Sequence, residues 1–312
     1  MMSVDDPAEL EEQVESVQFP SKGLTLAGHL YTPDNSSSTP SPAIVIGHQT
    51  TAVKEQGPAE YAQRLVEQGY IVLTFDAAYQ GESEGEPHGL EDPFQRAEDF
   101  RNAVSYLTTR EEADSERIGV LGICGSGGYV PFAAQTDHRM KAVATVSAVD
   151  LARYFREPDP EAFQEMVKQA GALRSEEAVG FPAKLVSALP EPEEVDDSTP
   201  QTVREFVDYY KTPRGQHPRS TNKWVARSAD LLDQFDAFAD IDKIAPRPLL
   251  MIAGTEASTL PHSEDAIDQA GENAELVMLE GATYVDLYDK DEYVSPAVEK
   301  LTEFFDQHLT NA

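Results

Sequence analysis

The sequence predicts an α/β fold, a mostly parallel sheet flanked by helices and interrupted by a helical insertion. Three observations predict it. Short, continuous apolar runs recur, as in strands buried on both faces. Helix-like stretches alternate with them, at spacings that call for right-handed crossovers. The alternation stops after residue 150 and resumes only beyond residue 230. The chain therefore divides into a first core part at 14–150, a helical lid at 151–230 and a second core part at 231–312.

Each element has its own signal. Residues 14–19 and 24–31 are β-prone runs joined by Ser21-Lys22-Gly23, a hairpin signature. A Ser/Pro loop fills 35–42, and Ala43-Ile-Val-Ile-Gly47 reads as a buried strand. A helix at about 59–68 ends at Gly69. Residues 70–75 form the next strand, closed by Asp76 and followed by a Gly- and Glu-rich loop at 77–92. In 93–107, Phe94, Ala97, Phe100, Ala103 and Leu107 make one apolar helical stripe. A strand at 117–122, a helix at about 127–136 and a strand at 141–147 follow. The insertion shows several prolines and two helix-like pieces, 161–170 and 203–210, without a convincing buried strand. Beyond it come a strand at 248–253, a helix near 263–270, a strand at 275–279 and an amphipathic helix at 296–309.

Composition excludes several classes. There are 56 acidic residues against 24 basic ones, a net charge of −32, spread along the chain. Such a surface repels nucleic acid and anionic lipid. It reads as a solvated shell suited to a salty cytoplasm, as in a halophile. No window approaches the roughly 18 apolar residues of a membrane span. Residues 1–13 carry no signature of a secretory signal, so a cytoplasmic setting is expected. With a single cysteine no intramolecular disulfide can form, and a cysteine-based metal site is not expected.

The informative segment is Gly119-Val-Leu-Gly122-Ile-Cys124-Gly-Ser126-Gly-Gly128-Tyr. A strand entering a helix through small–x–nucleophile–x–small is a nucleophile elbow, with Gly122 and Ser126 flanking Cys124. The sulfur then faces the N-terminus of the next helix, which should depress the thiol pKa below its usual value of about 8.5. Ser126, flanked by Cys124 and Gly128, is the alternative nucleophile. The strand ends at Gly122, which favours Cys124. A loose glycine-rich dinucleotide loop can also be traced here. It falls mid-chain rather than in an opening βαβ unit, which argues against a dehydrogenase.

With this elbow, nearly the whole chain from Gly47 onward resembles α/β-hydrolases of the dienelactone-hydrolase-like group. Supporting segments are Gly47-His48-Gln49, Phe75-Asp-Ala-Ala-Tyr-Gln-Gly-Glu82, Ile252-Ala-Gly254-Thr-Glu256 and Gly281-Ala-Thr-Tyr284-Val-Asp286. The resemblance implies an α/β-hydrolase fold and main-chain oxyanion donors at Gly125 and Gln49. His48 lines or caps the cleft beside them. It also implies an acid after the strand at 248–253. The usual place for that acid holds Ala257, so Glu256 is the nearest candidate, ahead of Glu264 and Asp265.

At the position of the family's histidine base this chain has Tyr284. Tyrosine, protonated at neutral pH, is a poor base. The only later histidine is His308, in the terminal helix, while His262 in an earlier loop would have to swing toward the cleft. The expected function is hydrolysis of a carboxylic ester, thioester or lactone, with Cys124 as nucleophile and Glu256 and Tyr284 as orienting or proton-handling partners. The alternative is a catalytically impaired binding protein that keeps the pocket. No cofactor or metal is implied; the partner is a small-molecule substrate, and a homo-oligomer is compatible with the sequence.

Overall fold

A computed structural model describes residues 14–34 and 39–310. The acidic leader at 1–13 and residues 35–38 of the Ser/Pro loop lie outside the described residues. Eight strands form one sheet: β1 (Val14–Ser21), β2 (Leu24–Tyr31), β3 (Ser41–Gly47), β4 (Ile71–Phe75), β5 (Ala113–Ile123), β6 (Met140–Val146), β9 (Leu249–Gly254) and β10 (Ala274–Leu279). Their order is β1-β2-β4-β3-β5-β6-β9-β10. The β1–β2 hairpin and the β2–β4 pair are antiparallel, and every later pairing is parallel. This is the mostly parallel α/β architecture that the alternation of runs predicts. The central strands are apolar on both faces because helices cover both; β4 and β9 are buried at every residue.

Helices α1 (Gly57–Val66), α2 (Pro93–Leu107), α3 (Ser126–Ala134), α8 (Leu260–Ala270) and α9 (Asp291–Phe305) flank the sheet. Local chemistry sets their ends. The Asp92 carboxylate accepts from the Phe94 and Gln95 amides, and Pro93 occupies the first turn, where its missing N–H costs nothing. The last helix begins five residues before the proline start expected at 296. Pro296 lies inside it, and the sequence rule that places proline at a helix start misses the turn before it.

Residues 151–230 lie between β6 and β9. They hold α4 (Leu151–Arg156), α5 (Pro160–Ala178), α6 (Gln201–Tyr210) and the short α7 (Ala229–Asp233). They also hold an antiparallel ribbon of β7 (Leu185–Ser187) and β8 (Lys223–Val225). The ribbon gives no sequence signal, because three-residue strands cannot show a period. Helix α5 runs longer than the piece at 161–170; its continuation is mostly exposed and polar and so carries little apolar periodicity. No helix among the described residues is long and apolar enough to cross a membrane.

Candidate active site

Strand β5 delivers Cys124 into the bend before α3. Its φ is +59°, in the left-handed region that a residue with a Cβ seldom adopts. Such strain costs on the order of 1–3 kcal/mol and is tolerated where the surroundings over-determine it. Here they do. The Cys124 N–H donates to the Val146 carbonyl (3.1 Å), while its own carbonyl accepts from the Gly127 amide (2.8 Å). A Cβ on Gly122 would sit 2.1 Å from the Ser126 carbonyl oxygen, so only glycine fits two residues before the bend. Ser126 is fully buried and its hydroxyl donates to the His48 carbonyl (2.6 Å), which turns it away from the cleft.

The Cys124 side chain is only 7% exposed, and what remains open faces a cavity of about 120 Å³. Thr50 and Thr51 bound it on one side. Leu151, Tyr154 and Phe155 come from α4, and Val203, Phe206 and Tyr210 from α6. The lining is apolar apart from hydroxyls. No histidine, carboxylate or cation lines it among the described residues.

The loop after β3 supplies the polar side of the bend. An ideal Cβ on Gly125 would lie 2.4 Å from Thr50 Oγ1, so a side chain at residue 125 would press on the Thr50 hydroxyl, while the Thr50 backbone nitrogen would stay at an ordinary contact distance of 3.6 Å. Neither the Gly125 nor the Thr50 amide N–H has an acceptor among the described residues. Thr50 Oγ1 is likewise buried without a partner. Gln49 does not line the cavity: its side chain is buried against Gly57, with Tyr209 as a neighbour. The loop is pinned by the buried Lys54 ammonium, which contacts Asp76 (2.9 Å), Glu82 (2.6 Å) and Glu55 (2.8 Å). Arg219, from the insertion, pairs with Glu55 on the same loop.

His48 is a strut beneath this loop. Its ring shares a 2.6 Å hydrogen bond with the Gln49 carbonyl through Nδ1. Nε2 takes the Ala77 amide (3.0 Å) and the Arg96 guanidinium (2.9 Å), an arrangement that assigns the proton to Nδ1. Burial, then the Arg96 charge, hold its pKa well below the usual histidine value, so the ring stays neutral. Arg96 is itself buried and pairs with buried Glu91 (3.0 Å), which also accepts from the Tyr129 hydroxyl (2.8 Å).

Tyr284 is 2% exposed and lines the cavity with Cys124. Its carbonyl accepts from the Ser147 hydroxyl at the end of β6 (2.9 Å). Tyr284 packs edge-on to Phe206 (5.5 Å between centroids) and Tyr288 (5.9 Å), and Tyr288 meets Tyr210 at 6.2 Å. Burial first, and then the charge of a Cys124 thiolate, push Tyr284, Tyr288 and Tyr210 well above the usual tyrosine value near 10. They are hydroxyl donors, not bases. The Tyr288 hydroxyl, with the sulfur and the other two rings as neighbours, has no well-formed hydrogen bond.

The structure thus brings Cys124, Gly125 and Tyr284 together and leaves Glu256 outside. Glu256 is exposed in the turn after β9, and its carboxylate contacts no hydrogen-bonding or charged partner among the described residues. Ala257, at the place where the family resemblance puts an acid, is buried. Glu264 is exposed on α8, and Asp265 pairs with Arg153 (2.7 Å). His262 is buried in the first turn of α8, where Nδ1 accepts the Asp150 amide (3.2 Å); it does not line the cavity. His308 packs edge-on against Phe304 at the far end of the chain. Thr50, Tyr210 and Tyr288 escape the sequence reading because nothing local marks them. Thr50 comes from the loop after β3, Tyr210 from α6 and Tyr288 from the segment after β10, so only the fold brings them near Cys124.

Comparison with known proteins matches this architecture. The family model described as X-Pro dipeptidyl-peptidase (S15 family) matches residues 22–257. The uncharacterized protein PA2218 of Pseudomonas aeruginosa is 38% identical over 92% of this chain and 78% of its own length. The PA2218 crystal structure superposes with a TM-score of 0.89, covering 96% of this chain and 95% of that one. The thiohydrolase aneE of Aspergillus aculeatus is 30% identical over 61% of this chain and 58% of its own. The α/β-hydrolase GrgF from Penicillium sp. sh18 superposes with a TM-score of 0.82 at 20% identity, covering 95% of this chain and 99% of that one, a likeness of fold alone. The chain is an α/β-hydrolase-fold protein of hydrolase type and belongs to the S15, X-Pro dipeptidyl-peptidase, family.

Proposed function

We propose that this protein is a hydrolase of carboxylic esters, thioesters or lactones with Cys124 as its nucleophile. One observation carries the reading: Cys124 occupies a strained left-handed bend (φ +59°) and opens on a cavity beside two amides without acceptors. Strain of this kind is retained where it aims a reacting atom. In the first step the sulfur attacks the acyl carbon, the bond to the leaving group breaks, and the thiol proton ends on that group. Gly125 and the Gln49–Thr50 stretch supply N–H donors for the oxyanion. Tyr284, neutral and adjacent, donates to the sulfur or to the leaving group. Water then cleaves the thioester and restores the thiol. With no base in the cavity lining, that second step is slow. Residues 151–230 act as the lid that closes the pocket, since α4 and α6 supply most of its apolar wall.

The apolar lining favours an apolar acyl group over a peptide. An X-Pro peptide brings an N-terminal ammonium, and no carboxylate lines the cavity to receive it. The name of the thiohydrolase relative is in keeping with a thioester. The dienelactone-hydrolase-like resemblance and a salty cytoplasm belong to the same proposal, the latter supported by the net charge of −32.

A second reading, a binding protein that has lost turnover, is favoured by Tyr284 in place of a base. Turnover of a p-nitrophenyl ester in high salt, wild type beside Cys124→Ala, separates the two. The proposal expects the variant to lose the activity; equal rates would remove Cys124 from the mechanism.

A further inference from the structure

We propose that the acyl pocket continues through the insertion into a second apolar cleft, making this a site for medium- to long-chain acyl groups. The inference rests on the reading of Cys124 as the acyl-accepting group. A cleft of about 350 Å³ lies between α5 and the β7–β8 ribbon, lined mainly by Met166 and Leu173 on one side and Val186, Trp224 and Ala226 on the other, with Gln169, Lys184 and Ser187 as its polar members. Phe155 and Ala188 line both this cleft and the cavity at Cys124, so the two are neighbours across one side-chain layer. Phe155 is the divider. Its ring is half-buried and stacks on Trp224, 5.1 Å between centroids and 8° from parallel.

For a chain held at Cys124, the shared residues Phe155 and Ala188 mark the way toward the larger cleft. The cavity of about 120 Å³ at the sulfur holds only a short acyl group. Leu151, Leu189, Val203 and Phe206 complete its wall beside the elbow, the threonine loop and the packed tyrosines, and Phe155 and Ala188 are the residues it shares with the larger space. A rotation of the Phe155 ring along the Trp224 face joins the two without moving backbone. Each methylene that enters the cleft leaves water, which is worth about fourfold in binding, the ratio corresponding to about 0.8 kcal/mol.

Trp224 is the sole tryptophan of the chain, so its emission reports on the cleft directly. In Cys124→Ala protein, titration with methyl nonyl ketone, a neutral and unreactive analogue of a long acyl chain, is expected to change Trp224 emission saturably. Methyl ethyl ketone is expected to leave it unchanged. In wild type, kcat/KM for p-nitrophenyl esters should rise from butyrate to decanoate. Leu173→Trp, which fills the cleft from its half-buried place on α5, should keep the butyrate rate and lower the decanoate rate about fifteenfold, the worth of two methylenes. An emission that ignores the long ketone, or a Leu173→Trp protein with the wild-type chain-length profile, would overturn the channel. Loss of the nucleophile assignment reads differently: Cys124→Ala would then hydrolyse every ester at the wild-type rate.

Discussion

Replacing Tyr284 by histidine puts an imidazole at the position where the dienelactone-hydrolase-like resemblance places the base, and the structure sets how much it should do. The residue faces Cys124 and is 2% exposed, so burial keeps a histidine there neutral and able to accept a proton. General-base catalysis contributes about 10²–10⁴. The upper end needs a carboxylate to orient the ring, and neither Asp286 nor Glu256 is placed to do so: Asp286 already takes the Thr283 amide (3.1 Å) and Lys290 (2.5 Å), and Glu256 is exposed. The expected gain is therefore about a hundredfold in deacylation. The stability cost is the lost ring packing on Phe206 and Tyr288, about 0.5–1.5 kcal/mol for each pair. Stopped-flow release of p-nitrophenolate from p-nitrophenyl butyrate in molar KCl measures both steps. Wild type should show a burst of one equivalent and a slow steady phase; Tyr284→His should raise the steady rate and shrink the burst. A folded variant with the wild-type trace would refute the placement of this residue beside the reacting sulfur.

Other outcomes follow from the same geometry. Arg96→Met leaves Glu91 as an uncompensated buried charge and withdraws support from His48, so urea unfolding should show a loss of about 3–5 kcal/mol; a loss within about 1 kcal/mol would contradict this. Burial raises the Asp99 carboxyl to about 6 from its ordinary value of 3.8, so between the two the folded state holds a proton that the unfolded state has released. Wild type should therefore lose about 3 kcal/mol relative to Asp99→Asn as pH rises from about 4 to about 6, and nothing further above it. A flat difference in urea unfolding across that window would contradict it. At a net charge of −32, self-repulsion should be relieved by salt, and the thermal midpoint should climb with KCl; a midpoint independent of salt would remove the halophilic reading.

The fold was legible because its signals are local. Apolar runs such as Ala43-Ile-Val-Ile-Gly47 and the Asp92-Pro93 helix start mark their elements within a few residues. The elbow is legible for the same reason: Gly122, Cys124 and Ser126 meet inside one turn. The rest of the site is assembled from distant segments. Tyr210 and Tyr288 reach the sulfur from elements 86 and 164 residues further along the chain, and no spacing announces them. Glu256 was chosen by proximity in sequence among 56 acidic residues, and proximity does not report which carboxylate is buried. His48 differs: a structural role is the expectation for its imidazole, and the ring is indeed held by Ala77 and Arg96 beneath the loop.

The claim that most depends on this geometry is that substrate acylates the sulfur of residue 124. Intact-mass analysis after brief mixing with p-nitrophenyl butyrate, followed by peptide mapping, tests it directly. One butyryl group per chain on Cys124, absent from Cys124→Ala, is the predicted result. Turnover with no adduct, or an adduct on another side chain, would contradict it.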